Sequence, residues 1–244
     1  RPGSLRHAEP KTMKKPNQQA GQAVPVITID GPSGSGKGTI SQALAGQLGW
    51  HHLDSGALYR LLAYAALQES LDLADAAALT ALAGRLSESY RLPTAARPGI
   101  LLDGVDVSDA LRTERCADAA SRIAALPAVR EALLAWQRHC RQLPGLVADG
   151  RDMGTTVFPD ANLKVFLTAR PAVRAERRYK QLKNMGIIAN LDELVAEVEA
   201  RDARDSARKA SPLKPAEDAL IIDNSDLDAA GTLQQVLDAV PAVV

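Results

Sequence analysis

Residues 31–39, GPSGSGKGT, set glycines, small hydroxyl side chains and one lysine in an order suited to holding phosphate. Phosphate oxygens need several donors converging on one point. A turn whose successive N–H groups face inward supplies them, helped by the positive end of a following helix. Gly31, Gly34 and Gly36 allow backbone angles and close approaches that a β-carbon would block. Lys37 adds a mobile ammonium able to follow a phosphoryl group. Against the pattern GxxxxGK[ST], Gly31, Gly36 and Lys37 match, Gly38 takes the hydroxyl position, and the hydroxyl arrives one residue later at Thr39. The whole run (Gly31, Pro32, Ser33, Gly34, Ser35, Gly36, Lys37, Gly38 and Thr39) is thus a candidate ATP-phosphate cradle. With no hydroxyl directly after the lysine, Mg²⁺ is expected to be held mainly by phosphate oxygens and water, with Thr39 and Asp149 in support.

Other charged residues gather in a few short segments. Asp54, Ser55 and Arg60 lie in DSGALYR (54–60), and Asp149, Arg151 and Asp152 in VADGRDMGTTVFPDA (147–161). Both segments are expected at the carboxyl ends of strands, where open α/β sheets bind ligands. A helix beginning near Leu191 carries Leu191, Leu194, Val198, Arg201, Asp205 and Arg208 along one face, a stripe that begins apolar and ends charged. Its first turns should pack on the core and its later turns should overlook a polar ligand. The bland alternative is a helix running into water, with Arg201 and Asp205 as a surface pair. Within ARPAVRAERRYKQLK (169–183), Arg174 and Arg178 share a face and Arg177 stands beside them. A lid carrying these cations would clamp the equatorial phosphoryl oxygens and exclude water, which makes Lys37, Arg174 and Arg178 the candidate catalytic groups.

Five apolar runs bounded by turn residues frame these segments: VITID, HHLD, LVAD, LKVFL and ALIID. They read as strands, and the helical periodicity between them gives an α/β fold: a parallel five-stranded sheet flanked by helices. Helices are expected over 40–48, 57–67 and from Ala128, where Val129, Leu133, Trp136 and Cys140 form one apolar stripe. Roughly 75 to 80 residues separate the end of the helix that follows the second strand from the third strand, far more than a crossover requires. An insertion over about residues 70–145 is therefore expected, with a hairpin inside YRLPTAARPGILLDGVDVS, and a lid over about 171–208.

Of the 244 residues, 29 are basic and 29 acidic, so no overall field would hold the chain on nucleic acid or an anionic membrane. No apolar run approaches the ~20 residues needed to span a bilayer. Residues 1–23 are polar, without the apolar stretch of a secretory signal, and are expected to be a disordered leader in which Met13 is a candidate start. Cys116 and Cys140 are too few and too far apart for a disulfide framework, which suits a reduced, cytoplasmic setting. Both are expected as small buried hydrophobes, in a monomer.

Together, GPSGSGKGT, DSGALYR, VADGRDMGTTVFPDA and RDARDSAR (201–208) resemble the bacterial cytidylate kinases, P-loop nucleoside monophosphate kinases, from about Val24 to the C-terminal helix. The resemblance implies ATP and CMP or dCMP as substrates. It implies that Ser121, Arg130 and Asp152 contact cytosine, that Arg201 and Asp205 hold the sugar, and that Ser55, Arg60, Arg151 and Arg208 hold the acceptor phosphate. The insertion would enlarge the monophosphate-binding region. Two rivals stand beside it: a kinase for another monophosphate or metabolite on the same fold, and a nucleotide switch that phosphorylates nothing. Against the switch stand the GKGT loop and the lack of an NKxD guanine-reading motif.

Overall fold

The computed structural model describes residues 24–94, 99–184, 186–207 and 212–242. The leader at 1–23 and Arg208 lie outside these residues. Strand β1 (Val26–Asp30) is buried along its whole length, as a central strand covered on both faces must be. It pairs in parallel with β5 (Leu146–Gly150) on one side and β6 (Leu163–Thr168) on the other. Outside these lie β2 (His51–Asp54) and β7 (Leu220–Asp223), completing the order β2-β5-β1-β6-β7. All five runs read from the sequence are strands of one parallel sheet.

Side chains alternate between the two faces of this sheet. Ile27, Ile29 and Val147 pack with Ile40 and Leu44 of α1 (Lys37–Leu48) and Val236 of α8 (Ala229–Asp238). Val26, Leu146 and Ala148 face the other way, into a cluster with Leu58, Leu61 and Leu62 of α2 (Ser55–Gln68). The insertion is built into that second cluster. Its helices are α3 (Ala76–Ser89), α4 (Glu114–Ile123) and α5 (Pro127–His139), with α4 against α2 and α5 against α3. Val129, Leu133, Trp136 and Cys140 are all buried, as the stripe requires.

The hairpin pairs β3 (Leu101–Leu102) with β4 (Val105–Asp106). Its turn is Asp103-Gly104, with φ of 50° and 82°, the backbone that an Asp-Gly pair adopts most readily between antiparallel strands. Both strands therefore come from the second of the two runs in 90–108, not one from each. Residues 95–98, between the runs, lie outside the described residues.

Two helices lie between β6 and β7, α6 (Pro171–Asn184) and α7 (Leu191–Ser206), and they pack on each other. On α7 Leu194 and Asp205 are buried, Leu191 is 37% exposed, and Arg201, exposed, lies near enough to Lys37 for its charge to act on that ammonium. Neither Leu191 nor Leu194 belongs to the two core clusters of the sheet, and the helix packs on α6. Among the described residues no helix is long and apolar enough to cross a membrane.

Candidate active site

The phosphate loop follows β1 directly and is shaped by contacts that glycine alone permits. A β-carbon on Gly31 would lie 2.1 Å from the Leu167 carbonyl oxygen of β6, and Gly34, at φ 76°, sits against the Cβ of Arg174. Gly36 caps α1 in a left-handed conformation, φ 88° and ψ 4°, and no side chain caps the helix there. The first turn of α1 also carries no carboxylate, leaving its positive end to an anion. Lys37 Nζ donates to the Pro32 carbonyl at 3.3 Å. Burial first, then the Arg151 guanidinium, bring its pKa down to about 7, while Asp149 and Asp54 pull the other way. A phosphate beside Lys37 would offset both unfavourable effects by favouring the charged ammonium.

The arginines of α6 meet different surroundings although two of them share a face. Arg174 is 3% exposed, under the loop. It donates through Nε to the Ala169 carbonyl at 2.8 Å, through Nη1 to the Ser33 carbonyl at 3.1 Å, and through both terminal nitrogens to the Asp202 carboxylate. Arg177 flanks the loop, with Nη1 donating to Asn224 Oδ1 at 3.1 Å and Nη2 to the Asn224 carbonyl at 2.8 Å. Asn224 Nδ2 in turn donates to the Ser35 carbonyl at 2.9 Å. Arg178 is exposed, one turn beyond Arg174, and reaches only along its own helix, to Gln181. Arg174 thus buttresses the loop from below, and Arg177 and Arg178 are the cations of α6 with no carboxylate partner among the described residues. Sequence reasoning missed Asn224 altogether. Asp202 lies off the stripe through Arg201 and Asp205 on α7, so the spacing assigns it no role.

On the acceptor side, β2 and β5 end together, with Asp54 and Asp149 as register partners. Asp54 Oδ1 accepts the Ala57 N–H at 3.1 Å and caps α2; burial, then Asp149, raise its pKa. His52 Nε2 lies 2.8 Å from Asp149 Oδ2. Ser55 is buried at the head of α2 with its hydroxyl against Gly150, where a β-carbon would come within 2.6 Å of Oγ. Arg60 is half-buried on α2, and Ser121 is exposed on α4. Beyond β5 the chain makes a single π turn, Met153–Val157. Just before it, Asp152 Oδ2 accepts from Arg130 Nη2 at 3.1 Å, and Arg151 Nε donates to Asp205 Oδ2 at 2.9 Å. The structure thereby joins Arg130 to Asp152 and Arg151 to Asp205, from α5, the β5 turn and α7.

A phosphate loop and two paired ion bridges along one sheet edge need a family to interpret them. The cytidylate kinase family model matches residues 27–242. The chain belongs to the cytidylate kinase family. A cytidylate kinase from Shewanella denitrificans is 52% identical over 225 residues, covering 91% of this chain and 99% of the relative. Another, from Stutzerimonas stutzeri, is 55% identical over 221 residues, covering 89% and 95%.

Like other cytidylate kinases by family, this chain performs phosphoryl transfer, and its oxygen donors bear on the metal such transfer uses. Thr39 is exposed at the start of α1, and Asp149 lies in β5, one residue before its end, with one oxygen on His52. Both are hard donors that suit Mg²⁺. Among the described residues no group of three His, Cys, Asp or Glu side chains could hold a metal ion alone. The donor set therefore fits an ion whose shell is completed by phosphate oxygens and water.

Proposed function

We propose that this chain transfers the γ-phosphoryl group of ATP to CMP or dCMP, releasing ADP and the corresponding diphosphate. The observation that carries this reading is the pairing of Arg130 with Asp152 at the same sheet edge as Lys37 and its loop. Cytosine offers an N4 amino donor that a carboxylate accepts, whereas uracil presents a carbonyl oxygen there and is repelled. Asp152 supplies that carboxylate, Arg130 orients it, and Ser121 completes the base contacts. Ser55, Arg60, Arg151 and Arg208 hold the acceptor phosphate; Arg201 and Asp205 hold the sugar.

Residues 31–39 cradle the donor phosphates through backbone N–H groups, and Lys37 follows the transferred group. Mg²⁺, when bound, neutralises charge on the donor phosphates, with Thr39 and Asp149 as supporting oxygens. The paired helices α6 and α7 act as a lid over about 171–208 that brings Arg177 and Arg178 to the phosphates and excludes water, with Arg174 fixing its base. Catalysis is positioning and charge stabilisation without a covalent enzyme intermediate. The two buried free thiols suit the reduced cytoplasm, where the chain works as a monomer.

ADP formation measured with CMP, dCMP, UMP and AMP in turn tests this reading. Turnover should be greatest with the two cytidine monophosphates. Preference for UMP or AMP, or ATP binding without turnover on any acceptor, would refute it.

A further inference from the structure

The phosphate loop and the turn bearing Arg151 and Asp152 belong to different strands, and one side chain spans them. Asp30 ends β1 immediately before Gly31 and is 4% exposed. Its Oδ1 accepts the Met153 N–H and its Oδ2 the Gly154 N–H, each at 2.8 Å. These N–H groups open the π turn Met153–Val157, which the Asp152 side chain does not cap. A carboxylate from a neighbouring strand therefore satisfies the turn's first donors, as a capping residue normally would. In the sheet Asp30 is level with Gly150, so the bonds reach past the end of β5 to the two residues that follow Arg151 and Asp152.

Burying a carboxylate is costly, and burial raises the Asp30 pKa to about 6 although both N–H bonds and Lys37 act to lower it. A cheaper residue would serve if filling space were its only task. The carboxylate is suited because both its oxygens accept, whereas an amide would point its NH₂ at one of the two N–H donors. Asp152, which pairs with Arg130, directly precedes the anchored Met153 amide, and Arg151, which pairs with Asp205, lies two residues before it. A shift of the Met153 amide would move both pairs relative to the loop.

We propose that Asp30 is a positioning residue for base selection: it hangs the Arg151-Asp152 turn on the strand that carries the phosphate loop. The proposal rests on the (d)CMP kinase reading above. Its test is Asp30→Asn in the full chain, with kinetics on CMP, UMP and ATP beside the unsubstituted protein. The KM for CMP should rise about tenfold and the CMP-to-UMP ratio of kcat/KM should fall at least about fivefold, with the KM for ATP changing by less than about twofold. Equal losses for both bases and ATP, or no loss, would overturn it. Absence of CMP turnover in the unsubstituted protein would defeat the functional reading itself. Amide hydrogen exchange on the unsubstituted protein decides the anchor separately, whether or not the variant folds. Met153 and Gly154 should exchange as slowly as the strand amides of β5, and exchange as fast as an exposed loop would overturn the anchor.

Discussion

Arg174 grips Asp202 of α7 with both terminal nitrogens while its Nη1 also donates to the Ser33 carbonyl at 3.1 Å, so one buried guanidinium joins α6, α7 and the phosphate loop. Bidentate pairing to a carboxylate fixes orientation as well as charge. Asp202→Ala leaves that cation short of its anion. A loss of about 1–3 kcal/mol in unfolding free energy is expected, with a raised KM for ATP because the loop's floor loosens. Urea unfolding and steady-state kinetics on the same variant check both.

Replacement of Lys37 by Met should reduce turnover by about 10²–10³-fold or more, with circular dichroism unchanged. Among the described residues the lysine meets no carboxylate directly, only the Pro32 carbonyl, so the fold does not depend on it. Near-normal turnover in this variant would sink the assigned mechanism.

The depressed pKa of Lys37, about 7 against an ordinary 10.5, gives a pH dependence with a definite sign. Between those values the unfolded chain holds more protons on this residue than the folded one. The contribution of Lys37 to stability therefore rises with pH across that window. Lys37→Met should remove that slope, so any stability advantage of the variant shrinks as pH is raised from 7 toward 10. Donor phosphates favour the protonated lysine, so affinity for ATP should weaken above about pH 7, by at most about tenfold per unit from this group. Calorimetric titrations at several pH values measure both the affinity and the proton taken up.

Base preference should follow Asp152. Asp152→Asn keeps an acceptor but adds a donor that suits the uracil carbonyl, so the CMP-to-UMP ratio of kcat/KM should drop by about 10–100-fold. Arg130 then loses its ion pair, and Arg130→Ala should lower the ratio as well by freeing Asp152 to turn. Competition between CMP and UMP in one reaction reads the ratio directly.

Gly150 is a test of packing beneath the acceptor site. A β-carbon there would come within 2.6 Å of Ser55 Oγ and 2.9 Å of the Met153 side chain. Gly150→Ala should therefore cost about 1–3 kcal/mol of stability and raise the KM for CMP more than that for ATP. Thermal unfolding and initial rates check the two parts.

Local signals made the framework legible. VITID and GPSGSGKGT specify a buried strand, a phosphate-shaped turn and the start of a helix through features that each lie within a few residues: a short β-branched apolar run, glycines and a lysine at fixed spacing. The stripe through Val129 and Cys140 worked for the same reason. The hairpin in 90–108 was legible as a hairpin but not in its turn, because Asp103-Gly104 and the Pro and Gly near 97–99 are both credible turn formers. The exposed Leu191 shows the limit of a stripe read alone: periodicity says which residues share a face, not how far the neighbouring element extends.

What the sequence determined by itself is the chemistry available: a loop able to hold phosphate, cations and carboxylates at the carboxyl ends of parallel strands, and an order of elements that forms one sheet. Those follow from short-range sterics and hydrogen bonding. Only the tertiary structure decided which charges meet. Asp30 bonds residues more than a hundred positions away, Arg151 finds Asp205 across 54 residues, and Arg174 finds Asp202 across 28. No local spacing encodes such partners, because they are set by strand order and by the packing of α5, α6 and α7 against the sheet. That is why Arg174 and Arg178, alike in sequence spacing, end in a buried buttress and on an exposed surface.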